Sequence, residues 1–483
     1  MSETKKLKKS LGILEVIGIS IALMAPSMAA NINPQGPATI VGRAVPLAFL
    51  MAFIGVLFVS YGFIRLTQRF NHSGSMYGLV GKTLGPRAGV VAGISLLSAY
   101  IFFIGFCFNV TGRFLVATLQ ELKIWHGDID PLAFGFGLVA LALAILVAIR
   151  PVKQGTRALL YIEGGTVVLI LITAIIILVK IATGHATHGQ SLTLDVFKLP
   201  AGTSTSAAFL AVVFGFLSFA GFEAAITLGE EAHAPKKDIP KALLWSALIV
   251  GTYYVFVTAV EVIGFGTDEA GTKAFINSAS LLGDLGTEFI GSWIGTLITF
   301  GAAISGFACL LAAVLGAARV LFALGRDADV KTFAKVSEKN GVPTTAVFWV
   351  SGISLITMAL WKSIYHATSF DIFLATGTIG TVFILVAYSL TTVGSIRYVF
   401  FSKGKKHAPA YEIIVPVIGL AVLLYTIYKN VYPIAPDGPA RGYVLTVIGV
   451  LLVAVVFVLA AGSFARKMGE RLTSDEGLVE VDA

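Results

Sequence analysis

The segment Phe214-Gly215-Phe216-Leu217-Ser218-Phe219-Ala220-Gly221-Phe222-Glu223 is apolar enough to lie in a bilayer but poorly suited to crossing it as one regular helix. Glycines at 215 and 221 weaken the helix, and a carboxylate follows the second of them. Such an interruption is tolerated in hydrocarbon only where protein or a water-filled cavity satisfies the freed backbone. A second interruption occurs near the start of the chain, in Gly18-Ile19-Ser20-Ile21-Ala22-Leu23-Met24-Ala25-Pro26-Ser27. There Pro26 removes one backbone donor and frees a carbonyl.

Both interruptions sit in a chain built for the membrane. Of its 483 residues 56% are hydrophobic and 13% charged, against roughly 25% charged in an ordinary soluble domain. The mean hydropathy is +0.87. Apolar runs approach the ~20 residues that a spanning helix needs, which favours helices over a β-barrel. Apolar stretches separated by polar, Gly/Pro-rich breaks give twelve spans, at roughly 11–30, 44–64, 88–115, 131–149, 156–181, 207–229, 242–264, 289–324, 346–361, 370–398, 410–428 and 442–464.

The basic residues test this parse independently, because short cytoplasmic loops carry the Lys/Arg excess. With twelve spans and a cytoplasmic N-terminus, 26 of the 35 Lys and Arg fall on the cytoplasmic side. The net charge of +8 is then a matter of topology, since nucleic-acid binding would need the basic residues gathered on one surface. The expected organisation is a cytoplasmic segment at 1–10, a first repeat at 11–181 and an extracellular segment at 182–206. A second repeat at 207–398, two further helices at 399–465 and a cytoplasmic tail at 466–483, expected to be acidic and flexible after Arg471, complete it. Met1 to Ser10 lacks a cleavage pattern and is taken as a flank, not a signal peptide.

The interruptions fall in helix one and helix six, five helices apart. An odd number of helices per unit turns the second unit over, so two five-helix halves form an inverted repeat. Paired interruptions at matching positions mark a secondary transporter's site, where half-helix N-termini offer donors to an anion and unwound carbonyls accept from a cation. An amino acid zwitterion carries both groups a few ångströms apart. Two kinked helices in an ordinary bundle would be the plainer explanation.

A charge inside the membrane costs at least ~2.5–3.5 kcal/mol on insertion scales, and the spans hold few: Glu15, Glu163, Glu223 and Glu261. Glu223, just beyond the sixth-helix interruption, is the candidate for linking substrate binding to protonation or closure, with a structural tie as the alternative. Glu163 and Glu15 are expected to be interfacial or paired structural acids. Glu230, Glu231 and Asp238 with Lys236 and Lys237 form a charged loop. Tyr100, Phe216, Phe219 and Phe222 are candidate aromatic gates, Phe219 foremost because it stands beside the interruption, with plain packing as the alternative for the others. Cys107 and Cys309 lie in apolar stretches without metal-ligand spacing, so neither metal nor cofactor is called for. An enzyme is disfavoured: no converging acids and histidines and no phosphate-binding glycine loop are present.

Several motifs together resemble the amino acid/polyamine/organocation permease superfamily over essentially the whole chain. They are Phe219-Ala220-Gly221-Phe222-Glu223 with Glu230-Glu231, Pro235 and Ile239-Pro240; Ser73-Gly74-Ser75-Met76-Tyr77 with Gly85-Pro86-Arg87-Ala88-Gly89 and Gly93; and Arg319 to Asp327. The resemblance implies the fold of the bacterial leucine transporter: twelve transmembrane helices, ten of them in two inverted repeats plus two C-terminal helices. It places substrate contacts on Leu23, Met24, Ala25, Pro26 and Ser27, and on Leu217, Ser218, Phe219, Ala220 and Gly221. Read without gaps from Gly85-Pro86, it puts the wall of helix three on Ala99, Tyr100 and Ile104. Glu223, Phe222 and Ser305 are the coupling or gating candidates.

Departures are equally specific. Ala25-Pro26-Ser27 replaces a frequent glycine-serine-glycine, Ile170 stands where proton-coupled members often carry a lysine, and Ser305 is flanked by Ile304 and Gly306 instead of a second hydroxyl. The resemblance implies a permease in the cell membrane with both termini cytoplasmic. It would move neutral amino acids as a symporter or antiporter, with H+ a more natural coupling ion than Na+. An amine or polyamine carrier is the alternative, and a channel or nutrient receptor of the same fold the more remote one. The expected partners are an amino acid or amine and membrane lipid, without nucleic acid; oligomeric state is not encoded in any motif.

Overall fold

A computed structural model of the chain describes residues 11–71, 76–150, 155–228, 232–335, 337, 342–402, 408–434, 437–475 and 479–480. Ser73 to Ser75, Glu230 and Glu231 lie outside the described residues. Among the described residues, twelve helices are long and apolar enough to cross a membrane. Helix one is split into Ile13–Leu23 and Pro26–Ile32, and helix six into Thr205–Phe219 and the 3-10 turn Phe222–Leu228. Helices two to five are Val45–Thr67, Pro86–Glu121, Asp130–Ala148 and Gly155–Ala182. Helices seven to twelve are Pro235–Phe265, Ser292–Asp327, Thr344–Tyr365, Ser369–Phe401, Ile414–Val431 and Gly438–Ala460.

Local chemistry sets many of these starts. Proline occupies the first turn of the second half of helix one and of helices two, three, four and seven. There its missing N–H costs nothing and its fixed φ suits the helix. Helices five and twelve turn apolar residues outward, among them Val168, Ile172, Ile175, Leu452, Val453 and Leu459. In a bilayer such a surface faces lipid, so it needs no protein cover. The interrupted helices one and six lie inside, where helix three packs on helices eight and ten and helix seven on helix two.

Association without a hydrophobic drive depends on close backbone approach at small residues. A Cβ on Gly112 of helix three would stand 2.0 Å from the carbonyl oxygen of Ala133 in helix four. One on Gly215 of helix six would stand 2.4 Å from Ala52 of helix two.

Several segments differ from the sequence expectation. The stretch between helices seven and eight folds as a helical hairpin, Glu269–Asn277 and Leu281–Phe289, too short and too polar to register as a span. Helices three and seven start earlier than expected, because Pro86 and Pro235 initiate their first turns ahead of the apolar runs. The tail is helical over Gly462–Asp475, burying Ala465 and Met468 three residues apart. Arg471 ties that helix to Asp329 at 2.7 Å and to the Asp327 carbonyl. The connection 183–204 is pinned by the Gln190 side chain on the Gly264 carbonyl and by buried Val196.

Gly112→Ala forces backbone apart where helix four cannot yield. It is expected to cost about 1–3 kcal/mol, read as a lower melting temperature of the purified protein in detergent. An unchanged melting temperature would mean that helices three and four adjust freely.

Candidate functional site

The first interruption is a two-residue hinge. Helix one stops at Leu23, Ala25 takes a left-handed conformation at φ +46°, and Pro26 opens the next segment. A left-handed non-glycine residue costs of order 1–3 kcal/mol unless its surroundings fix it. In the second interruption Phe219 ends the helix, Ala220 is extended, and Gly221 sits at φ +109°, a region open to glycine.

These hinges touch. A Cβ on Gly221 would lie 3.2 Å from the Leu23 carbonyl oxygen and 3.5 Å from the Met24 nitrogen. One residue bridges them: the Tyr254 hydroxyl of helix seven lies 3.1 Å from the Ser218 carbonyl and 3.4 Å from the Met24 carbonyl. A phenol has one proton to donate, so the shorter contact to Ser218 takes it more fully. Its neighbour Tyr253 donates to the Pro26 carbonyl at 3.3 Å.

The amides that open the second half of helix one are also engaged. Ser27 N–H donates to Glu163 Oε1 of helix five at 2.9 Å, and Met28 N–H to Ser305 Oγ of helix eight at 3.3 Å. The Ser27 hydroxyl, which has no partner of standard hydrogen-bond geometry, stands against the same Glu163 carboxyl. Glu163 therefore stands at the hinge, not at an interface. Ile170, at the position matched to the family's lysine, is fully buried in the core.

Three buried amide side chains anchor the second half of helix one and the turn that follows it. Asn31 Oδ1 accepts from the Ser280 hydroxyl and from the Leu282 and Gly283 amides, capping the second hairpin helix. Asn33 donates to Ser218 Oγ at 2.8 Å, joining helix one to helix six. Gln35 donates to the Phe275 and Ser278 carbonyls, closing the first hairpin helix.

On the other side, Glu223 Oε2 accepts from Gly221 N–H at 3.1 Å and from the Tyr388 hydroxyl of helix ten at 2.7 Å. Phe222 and Tyr388 both meet Phe63 of helix two edge-on. Phe219 stacks on Phe53 and meets Tyr254 edge-on at 5.6 Å, so its ring lies against the residue that bridges the hinges.

The helix-three candidates are placed as follows. Ala99 and Ile104 are buried, and Tyr100 packs on Gly316 of helix eight while lying within electrostatic range of Glu223. Further along the helix, Phe106 and Leu217 close on Gly377 of helix ten, and Thr111 and Met28 close on Gly306 of helix eight. Glu15 caps its own helix through Gly12 N–H, and Glu261 is fully buried on helix seven. Two clefts of about 460 Å³ each lie elsewhere, where the connection before helix six meets the hairpin, lined among others by Arg43 and Lys273 and by His188 and Ala274. The convergence of backbone donors and acceptors places the candidate site at the hinges instead.

Tyr253, Tyr254, Tyr388, Thr111 and the amide trio were not singled out from sequence. Only the trio carried a signal, three amides within five residues of an apolar span. Gly221→Ala adds a Cβ in contact with Leu23 at a φ that alanine resists, a cost of about 1–3 kcal/mol. The expected result is loss of most substrate flux with the detergent-solubilised protein still monodisperse; wild-type flux would remove the hinge contact from the site.

Residues 10–468 match the family model described as Amino acid permease. The branched-chain amino acid permease BcaP of Bacillus subtilis (strain 168) is 25% identical over 386 residues, covering 74% of this chain and 76% of the relative. The low-affinity putrescine importer PlaP of Escherichia coli (strain K12) is 24% identical over 389 residues, covering 77% of each. The chloroplastic cationic amino acid transporter 7 of Arabidopsis thaliana is 21% identical over 467 residues, covering 94% of this chain and 75% of the relative. With twelve apolar helices, two of them interrupted at facing positions, the chain belongs to the amino acid permease family.

Proposed function

We propose that the chain is a secondary active transporter that moves neutral amino acids across the cell membrane by alternating access, coupled to protons or by exchange. The observation that carries this reading is the contact between Gly221 and the Leu23-Met24 peptide, which puts the freed backbone of both hinges in one place. A substrate ammonium would be received by the Met24 and Ser218 carbonyls, now held by Tyr254. Leu23 to Ser27 and Leu217 to Gly221 form the substrate contacts, with Ala99, Tyr100 and Ile104 on the wall. Glu223, Phe222 and Ser305 act in gating: Glu223 links the sixth-helix hinge to helix ten, and Ser305 links the first-helix hinge to helix eight. The distribution of Lys and Arg supports a topology with both termini in the cytoplasm.

The putrescine importer among the relatives favours a second reading, an amine carrier in which a carboxylate meets the cation. Against it, Glu223 is already bound by Gly221 and Tyr388, and Glu163 by Ser27.

Reconstitution into liposomes decides between them. Labelled leucine, arginine and putrescine are offered under a proton gradient, a sodium gradient and neither, and counterflow is measured. Saturable leucine counterflow that needs both α-groups is expected. Transport of putrescine alone would move the assignment to amines, and non-saturable flux would make the protein a channel. Tyr254→Phe keeps the ring and deletes the shared hydroxyl, so counterflow is expected to fall about 5- to 30-fold, the equivalent of ~1–2 kcal/mol. An unchanged rate would take Tyr254 out of the site.

A further inference from the structure

Helices three and eight run antiparallel and pack along their length, Gly93 on Leu324, Tyr100 on Gly316 and Thr111 on Gly306. Contacts that advance along helix three retreat along helix eight. Cys107, four residues before Thr111, therefore falls opposite Cys309, three residues after Gly306. The two thiols meet there within hydrogen-bonding reach, and both are free. They are the only two cysteines of the chain.

A disulfide needs Cα atoms about 4.4–6.8 Å apart. One turn from the pair, a Cβ on Gly306 would lie 3.6 Å from Thr111 Cα. With the Cα–Cβ bond of about 1.5 Å added, the Cα atoms of Gly306 and Thr111 are no more than about 5 Å apart. The glycine thus brings the backbones to a spacing at which facing cysteines can be joined. Cys107 is fully buried, whereas Cys309 is half-buried and in electrostatic range of Tyr254, the residue that bridges the hinges. Ser305, one turn along helix eight from Cys309, holds the Met28 amide.

We propose that Cys107 and Cys309 form a modification site, where a hydroperoxide converts the thiol pair into a disulfide that fixes helix three to helix eight and stops transport. Cys309, the more accessible of the two, reacts first. Its sulfur attacks the peroxide O–O bond, giving a sulfenic acid, and its proton leaves with the alcohol. The Cys107 sulfur then attacks the Cys309 sulfur, and the Cys107 proton leaves with the hydroxyl as water. Two thiols lose two electrons and two protons, while the peroxide is reduced to alcohol and water. A thiol reductant restores the pair by exchange.

While both thiols are reduced, helices three and eight are held there by packing at small side chains, which leaves them free to shift. A covalent bond one turn from Ser305 removes that freedom beside the first-helix hinge. The loss of transport rests on the transport reading; the formation of the disulfide does not.

The full chain in liposomes is exposed to tert-butyl hydroperoxide, digested without reduction and analysed by mass spectrometry. A peptide pair joined through Cys107 and Cys309 is expected in the wild type, lost after dithiothreitol and absent from Cys107→Ser and Cys309→Ser. Most leucine counterflow should disappear on oxidation and return with dithiothreitol, while both serine variants keep theirs under the same peroxide.

No linked peptide, or a linkage found only between two chains on a non-reducing gel, overturns the proposal. So does equal loss of counterflow in the serine variants, which would place the damage elsewhere, as at Met24 or Met28. Unchanged counterflow in fully linked protein overturns the control of transport. A chain that forms the disulfide but, when reduced, carries neither leucine nor putrescine would keep the modification site and overturn the transport reading instead.

Discussion

Two interrupted helices meet backbone to backbone where Gly221 lies against the Leu23-Met24 peptide, and the arrangement around them answers to that contact. Away from water each unpaired amide or carbonyl costs several kcal/mol, so the interruptions are stable only if other helices supply partners. Helix seven supplies Tyr253 and Tyr254 to the carbonyls, helix five supplies Glu163, helix eight Ser305 and helix ten Tyr388. Four different helices serve the two hinges, whose freed groups include both donors and acceptors.

The same constraint makes the second half of helix one a mechanical centre. Together with the turn that follows it, over Ser27 to Gln35, it is bonded to helix five, helix eight, helix six and both hairpin helices, mostly through amide side chains with little exposure. A rigid displacement of this half-helix cannot leave the hairpin in place without stripping the Leu282 and Gly283 amides of their cap. A displacement of the hinge that kept these bonds would have to carry the hairpin with it, and would reach helix six through the bond from Asn33 to Ser218.

Much of this was legible in the sequence, for identifiable reasons. Pro26 and Gly221 act on their own backbone, so the two hinges could be placed without knowing any neighbour. The twelve spans follow from apolar length and the alternation of Lys and Arg. The partners of the hinges could not be read, because which face of helix seven presents Tyr254 depends on how that helix is rotated, and an all-apolar helix carries no stripe to fix rotation. Glu163 was readable as an intramembrane acid, but its contact with Ser27 spans 136 residues of sequence. The hairpin escaped notice because its helices are nine residues each, below any membrane criterion. On helix three, Ile104 and Thr111 are separated by two turns and share a face, and the ungapped register reaches Ile104 but not Thr111, the residue that meets Gly306.

Helix five shows how departures from a family pattern can compensate one another. A lysine at position 170 would bring a cation and donors, which suit freed carbonyls. This chain has isoleucine there and a carboxylate two turns earlier, at Glu163, which demands donors instead. The first-helix hinge presents donors that suit it. Pro26 begins a new helical segment, so the next two amides, of Ser27 and Met28, have no partner within their own helix and point back at the hinge. An acid on helix five and a helix start at Pro26 are each awkward alone in hydrocarbon: the first is an uncompensated charge, the second a pair of orphan donors. Together, with Ser305 taking the second amide, each removes the other's penalty. The link between helices one and five thus runs from amide donors of the hinge to a carboxyl acceptor on helix five.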